Sequence, residues 1–226
     1  MIALGIDTST PAGSVAIRRE ERLLGEINLA TGGHHQERLL RSIDYLLDLT
    51  GLDISRVDLF AVALGPGTFT GLRVGIATVK GLAVARGVPA FGISTLLALG
   101  HRYIARGLPV APMIDAGRGD VYSALYGLRQ GDLQEILPEQ GGEPASFLAS
   151  LPSEPVLLCG DGVGTYRDLI LRSRPGNDPW VAGPCFLGAT LAMLGARKLR
   201  EGTPWSIGSL KPNYIRPPDA ELGRRP

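Results

Sequence analysis

One run of secondary-structure signals occurs twice along the chain, and it constrains the fold more than any single motif. Apolar runs mark strands at Ile2–Ser9, Ser14–Arg19, Leu23–Leu29 and Leu59–Leu64, with helices expected at His35–Leu49 and Gly71–Arg86. The same order returns at Val110–Asp115, Val121–Leu128, Leu133–Leu137, Pro144–Leu151, Val156–Cys159 and Tyr166–Arg172. Gly5-Ile6-Asp7 ends the first strand of one copy and Met113-Ile114-Asp115 that of the other, an offset of 108 residues. Between the copies Val88–Ile93 reads as a strand and Thr95–Ala105 as a helix; near the end Phe186–Arg200 reads as a longer helix. In His35–Leu49 the residues Leu39, Leu40, Ile43, Leu46 and Leu47 form one stripe at 3.6-residue spacing. Gly51 and Gly87 stand where a helix C-terminus calls for a left-handed residue.

Three meandering strands followed by parallel strands with crossover helices is the ribonuclease-H-like plan. Two copies imply an α/β protein of two ribonuclease-H-like lobes, the architecture of the actin-like ATPases (the ASKHA group). That analogy concerns fold and leaves chemistry open. The first lobe is expected over 1–106 and the second over 107–226, with helix 186–200 either kept in the second or packed back onto the first. At 226 residues and 44% apolar content the chain has enough core to fold without a metal or disulfide. Cys159 and Cys185 lack C-x-x-C spacing, which excludes a zinc knuckle and suggests a reducing, cytoplasmic setting. No stretch is long and apolar enough to suggest a membrane span, and Met1–Ile6 is too short an apolar run for a signal peptide. The net charge of +1 argues against coating of nucleic acid by bulk charge, although residues 197–226 carry seven basic and three acidic groups.

Several motifs admit two readings each. Asp7-Thr8-Ser9 ends a strand, and Asp115 ends its counterpart. Such residues hold a metal-bound water and phosphate oxygens in a cleft, or they satisfy their own turn amides, with Asp115 paired by Arg118 or Arg73. The run Gly65-Pro66-Gly67-Thr68-Phe69-Thr70-Gly71-Leu72-Arg73 joins a buried strand to a helix. It is a ready anion site at a helix N-terminus, or a tight turn with Thr70 as N-cap. It lacks the Lys-Ser/Thr of a Walker loop and the spacing of G-x-G-x-x-G. The helix that follows is apolar on every side, so its cover is either the lobe's own first helix or a partner subunit. Cys159-Gly160-Asp161-Gly162-Val163-Gly164 lies near an adenosine in analogous folds, or is a plain strand-to-helix turn. His34, His35 and His101 have no metal-ligand spacing, and no Ser-His-Asp or Cys-His set is evident. The tail Pro212-Asn213-Tyr214-Ile215-Arg216-Pro217-Pro218 cannot be helical.

Gly5-Ile6-Asp7-Thr8-Ser9, Ala63 through Gly75, Gly92-Ile93-Ser94-Thr95-Leu96, Ile114 through Tyr122, and Pro212-x-Tyr214-x-Arg216 with Ala220-Glu221 together resemble the TsaB (YeaZ) family over essentially the whole chain. The resemblance implies a subunit of the machinery that makes threonylcarbamoyladenosine beside the tRNA anticodon. It implies a TsaD-like catalytic partner, a TsaE-like ATPase acting through the complex, self-association as a homodimer, indirect contact with tRNA and no membrane. ATP is used by the complex, and no cofactor is expected on this chain alone. The family's partner surface maps to the first two helices, here Leu39, Ile43, Leu72, Gly75, Ile76 and Val79. TsaD-like chains carry two metal-binding histidines at i and i+4; the matching positions here are Thr95 and Leu99, so no metal site and no catalytic residue is expected.

The leading expectation is therefore a non-catalytic subunit that binds and activates a TsaD-like transferase. A degenerate nucleotide cleft is expected from Asp7, Thr8, Ser9, Gly65, Gly67 and Asp115. The competing expectation is a stand-alone actin-like ATPase or kinase-like enzyme using Asp7 and Asp115. A metallopeptidase, the third possibility, is weakened by Thr95 and Leu99.

Overall fold

The computed structural model describes residues 1–30, 35–104, 107–129, 132–176 and 179–215. It contains two units: Met1–Ala98 with Phe186–Asn213, and Leu99–Cys185 with Tyr214 and Ile215.

In the first unit, β1 (Ile2–Asp7), β2 (Gly13–Arg19), β3 (Arg22–Leu29), β4 (Leu59–Gly65) and β5 (Ala90–Ser94) form one sheet in the order β3-β2-β1-β4-β5. β1, β2 and β3 pair antiparallel, while β4 and β5 run parallel to β1. Helices α1 (His35–Thr50) and α2 (Phe69–Arg86) make the crossovers. Side chains alternate across a strand, so Gly5 and its neighbours Leu4 and Ile6 face opposite ways. The Gly25 position looks onto Leu46 and Thr50 of α1, and Gly75 of α2 sits against Val62. Gly25 shares a face with Ile17 and Leu4, and Val62 with Ile6, through the ladder register. The large apolar side chains thus form the core under α1 and α2.

The opposite face is built from small residues. Ala16, Gly5 and Ala61 stand side by side in register. Against them lies α7 (Gly188–Arg200), which also presents small residues there. A Cβ on Gly5 would run into the Gly188 carbonyl and lie 2.6 Å from the Ala192 nitrogen; one on Gly195 would lie 2.7 Å from the Ala61 Cβ. Small residues on both surfaces let helix and sheet backbones approach closely. The first amides of α7 are satisfied from the sheet: Gly188 N–H donates to Ser14 Oγ at 2.7 Å, and Ala189 N–H to Glu26 Oε1 at 3.2 Å. Of the two placements the sequence leaves open for this helix, the structure takes the one in the first unit.

The second unit repeats the sheet with β6 (Val110–Gly117), β7 (Asp120–Arg129), β8 (Asp132–Gly142), β9 (Leu157–Gly160) and β10 (Trp180–Ala182), in the order β10-β9-β6-β7-β8. Reversed, this is the order and sense of the first sheet: β6, β7 and β8 antiparallel, β9 and β10 parallel to β6. Helices α4 (Pro144–Ser150), α5 (Asp161–Thr165) and α6 (Arg167–Ser173) close a core of residues such as Met113, Leu125, Phe147, Leu158 and Ile170. The duplicated α/β plan is therefore the fold. β10 is a strand the sequence does not signal, because three residues are too few for a periodic pattern. The remaining helix α3 (Thr95–Tyr103) spans the division between Ala98 and Leu99, where the sequence places the boundary at 106/107. Among the described residues no helix is long and apolar enough to cross a membrane.

Candidate functional site

The strand end of the first unit is closed by its own chain. Asp7 and Ser9 are fully buried and Thr8 is 3% exposed. Asp7 Oδ1 accepts from Ser9 N–H at 2.9 Å and from Ser9 Oγ at 2.6 Å, an Asx turn in which the carboxylate holds the next residues in place. Thr8 Oγ1 donates to the Gly71 carbonyl at 2.7 Å, and Thr68 N–H donates to the Ser9 carbonyl at 2.7 Å. Added Cβ atoms on Gly67, Gly71 and Gly75 would run into the Ser9 carbonyl, the Thr8 carbonyl and the Thr8 hydroxyl, respectively. These glycines exist so that the start of α2 can lie on the Asp7-Thr8-Ser9 turn. In this structure the glycine run forms a turn packed against Thr8 and Ser9. Its cap residue is Thr68, extended at φ −68°, ψ 132°; Thr70 lies within the first helical turn. Gly65 is positioned by the tail, since Asn213 N–H donates to the Leu64 carbonyl at 2.7 Å and the Asn213 carbonyl fills the space a Gly65 side chain would need.

Beside Asp7 the first unit has a cavity of about 20 Å³, lined by Asp7, Thr8, Ser14, Ile27, Arg38 and Leu39 among others. That is room for roughly one water molecule and far below the several hundred Å³ of a nucleotide pocket.

The second unit carries a set of its own at the end of β6. Asp115 is exposed and accepts from Gly117 N–H at 2.8 Å and from Thr165 Oγ1 at 3.0 Å. Its partners are thus a turn amide and a hydroxyl. Asp161, at the start of α5, accepts from Asp115 N–H at 3.1 Å. Burial pushes the Asp161 carboxyl above the usual range, and the nearby Asp115 charge adds to this against the opposing backbone hydrogen bonds. Tyr166 donates to the Asp120 carbonyl at 2.8 Å, and its phenol is also raised, mainly by desolvation and then by the charges of Asp115 and Asp120. A Cβ on Gly160 (φ 116°) would run into the Met113 carbonyl, so this glycine turn too is approached by its own backbone. The six cleft candidates therefore divide: Asp7, Thr8, Ser9, Gly65 and Gly67 lie in the first unit and Asp115 in the second. The sequence singles out Asp115 and the Cys159–Gly164 run separately, Asp115 near the end of β6 and Asp161 just after β9, but shows no pairing between them and gives no sign of Thr165.

The residues matched to metal-binding histidines do not fit a metal ion. Thr95 is fully buried, its hydroxyl without a hydrogen-bond partner among the described residues, and Leu99 is 1% exposed. One hydroxyl and one alkyl group do not form a ligand set.

The expected partner residues require a correction. Leu39, Ile43, Leu72, Ile76 and Val79 are at most 5% exposed and Gly75 is buried, all within the first unit. They face the sheet because Val62, Leu4 and Ile17 need cover, so they are core and not interface. Leu40, read into the same stripe, is 57% exposed. The outer side of α2 is instead Thr70, Arg73, Ala77, Gly81, Val84 and Ala85. Val84 is 66% exposed, and the Arg73 guanidinium lies 3.7 Å from the Phe69 ring centroid. On α1, Tyr45 and Leu49 are also exposed. An outer face this apolar and this small is unusual for a solvated helix.

Comparison with known proteins places the chain. The model of the TsaD family, tRNA N6-adenosine threonylcarbamoyltransferase, matches residues 29–167. The chain is 31% identical to the tRNA threonylcarbamoyladenosine biosynthesis protein TsaB of Bacillus subtilis over 98% of its length and 96% of that protein. It is 32% identical to the protein of that name from Haemophilus influenzae, covering 77% of this chain and 78% of that one. The solved structure of YeaZ from Pseudomonas aeruginosa superposes with a TM-score of 0.80 at 31% identity, over 94% of this chain and 99% of that one. The activator of the 2-hydroxyisocaproyl-CoA dehydratase from Clostridium difficile shares the fold alone, with a TM-score of 0.52 at 12% identity over 89% of this chain and 97% of that one. Fold and site define a protein of two ribonuclease-H-like units from the wider TsaD family. Within it, the chain belongs to the TsaB (YeaZ) family.

Proposed function

We propose that this protein takes part in tRNA threonylcarbamoyladenosine synthesis as a non-catalytic subunit that binds and activates a TsaD-like transferase. The observation that carries the reading is the outer face of α2. Ala77, Gly81, Val84 and Ala85 leave a helix surface with small side chains, and a Cβ on Gly81 would meet nothing within 4 Å. Such a surface lets another helix pack at close range. The TsaD-like subunit docks there, with Tyr45 and Leu49 of α1 at the edge, and a second copy of this chain uses the same face when no partner is present. The packing of Gly67, Gly71 and Gly75 onto Thr8 and Ser9 supports the absence of a catalytic nucleotide site on this chain; ATP is consumed by the assembled complex, which a TsaE-like ATPase joins. Contact with tRNA is made through that complex, and the setting is cytoplasmic.

The test is assembly on a sizing column with light scattering, using the TsaD-like subunit of the same organism. Wild type forms a stable 1:1 complex. Ala77→Glu and Gly81→Glu stay folded and lose it. Retention of the complex by both variants overturns the docking surface. Tight binding and turnover of magnesium–ATP by the chain alone would instead favour the actin-like ATPase.

A further inference from the structure

One end of the first unit gathers arginines that the role above does not use. Arg19 ends β2, Arg22 opens β3 directly opposite it in the ladder, and Arg56 closes the 3-10 turn at Ile54–Arg56. Arg19, Ser55 and Arg56 line one open pocket of about 590 Å³, together with Met1, Ile2 and Asp58. Arg86, at the end of α2, donates to the carbonyls of Ile54 (3.2 Å) and Ser55 (2.5 Å), which adds a fourth guanidinium beside the turn. Among the described residues the side chains of Arg19, Arg22 and Arg56 have no ion pair or hydrogen bond. The acids on the rim have partners there other than these arginines. Asp58 accepts from Ile2 N–H at 2.6 Å, Glu20 pairs with the Met1 amine, and Asp53 accepts from Ser55 N–H and is held below the usual carboxylate range by Ser55, with a smaller effect from Arg86.

We propose that this rim, centred on Arg19 and Arg56, is a contact for the phosphodiester backbone of RNA; the proposal rests on the tRNA-modifying role above. Guanidinium forks match phosphate oxygens and hold their charge at every physiological pH. Backbone contacts of this kind position a nucleic acid without reading its bases. The arginines project from three different segments onto an open surface. They do not converge on one buried point, and such spacing suits successive phosphates of a strand better than a single ion.

The experiment is salt-dependent binding of fluorescently labelled tRNA to the isolated full chain. Wild type binds weakly, and its affinity rises as salt falls. The Arg19→Gln/Arg56→Gln double variant loses roughly tenfold in affinity at low salt, and its log–log salt slope falls by about 1.4–1.8, corresponding to two phosphate contacts. A double variant of equal charge loss in the second unit, Arg129→Gln/Arg172→Gln, leaves the slope unchanged. Equal losses in both variants, or none in the first, overturn the proposal. So does complete displacement of the RNA by inorganic phosphate at constant ionic strength, which would make the pocket a free-phosphate site. The assay uses the chain alone and reads this rim whether or not a catalytic subunit binds; failure of the partner reading would appear in the assembly measurement instead.

Discussion

The hydroxyl of Thr8 reaches the carbonyl of Gly71 because Gly71 has no side chain to hold the two segments apart. The turn after β1 and the first turn of α2 are thereby one packed structure. Gly67, Gly71 and Gly75 thus face Thr8 and Ser9 of their own chain.

Gly71→Ala and Gly75→Ala are expected to destabilise the protein by about 1–3 kcal/mol each, since the new methyl meets backbone or a buried hydroxyl. Urea unfolding measures this. Unchanged midpoints would mean that the close packing of α2 on Thr8 is not present in solution.

Gly81 should behave in the opposite way. Its Cβ position is open, so Gly81→Ala gains helix propensity and stabilises the free chain by up to about 1 kcal/mol. Gly81→Glu should keep that stability and lose the partner. The contrast between positions 75 and 81 on one helix separates core from docking surface in a single set of melts and assembly runs.

α7 should be as sensitive as α2. Gly5→Ala places a methyl against the Gly188 carbonyl and the Ala192 nitrogen, and is expected to cost about 1–3 kcal/mol. A fall in Tm of roughly 5 °C follows for a chain of this size. Hydrogen exchange should show the loss concentrated in Gly188–Arg200. Exchange accelerating elsewhere and not there would contradict the assignment of α7 to the first unit.

The raised pKa of Asp161 has a defined sign in a stability–pH curve. A carboxyl that binds its proton more tightly folded than unfolded favours folding most below its unfolded value of 3.8. That contribution is lost as pH rises from there through the folded pKa. Asp161→Asn keeps an oxygen to accept from Asp115 N–H and abolishes the titration. Its curve should lack this decline and lie at or above wild type at neutral pH. Parallel curves for the two proteins would show that Asp161 is not perturbed.

Much of the fold is legible because it is written twice. Strands of six to eight residues such as β1, β2 and β3 carry enough apolar residues to be seen, and Gly51 and Gly87 mark helix ends with positive φ, as expected. The site is less legible, for a specific reason. On α2, Leu72 and Val84 look alike in sequence, yet one is 1% and the other 66% exposed. A helix with apolar residues all round does not disclose which side its own sheet takes, so residues expected at the interface prove to be core. The cross-sheet caps of α7 are hidden too: Ser14 and Gly188 are 174 residues apart, and nothing local to either announces the other.

The most direct measurement is incorporation of labelled threonine into tRNA as threonylcarbamoyladenosine, with purified components combined and omitted in turn. The proposed role predicts incorporation with the full set, none with this chain alone, and loss when this chain is left out or replaced by Ala77→Glu. Incorporation by this chain alone, or undiminished incorporation in its absence, would contradict that role.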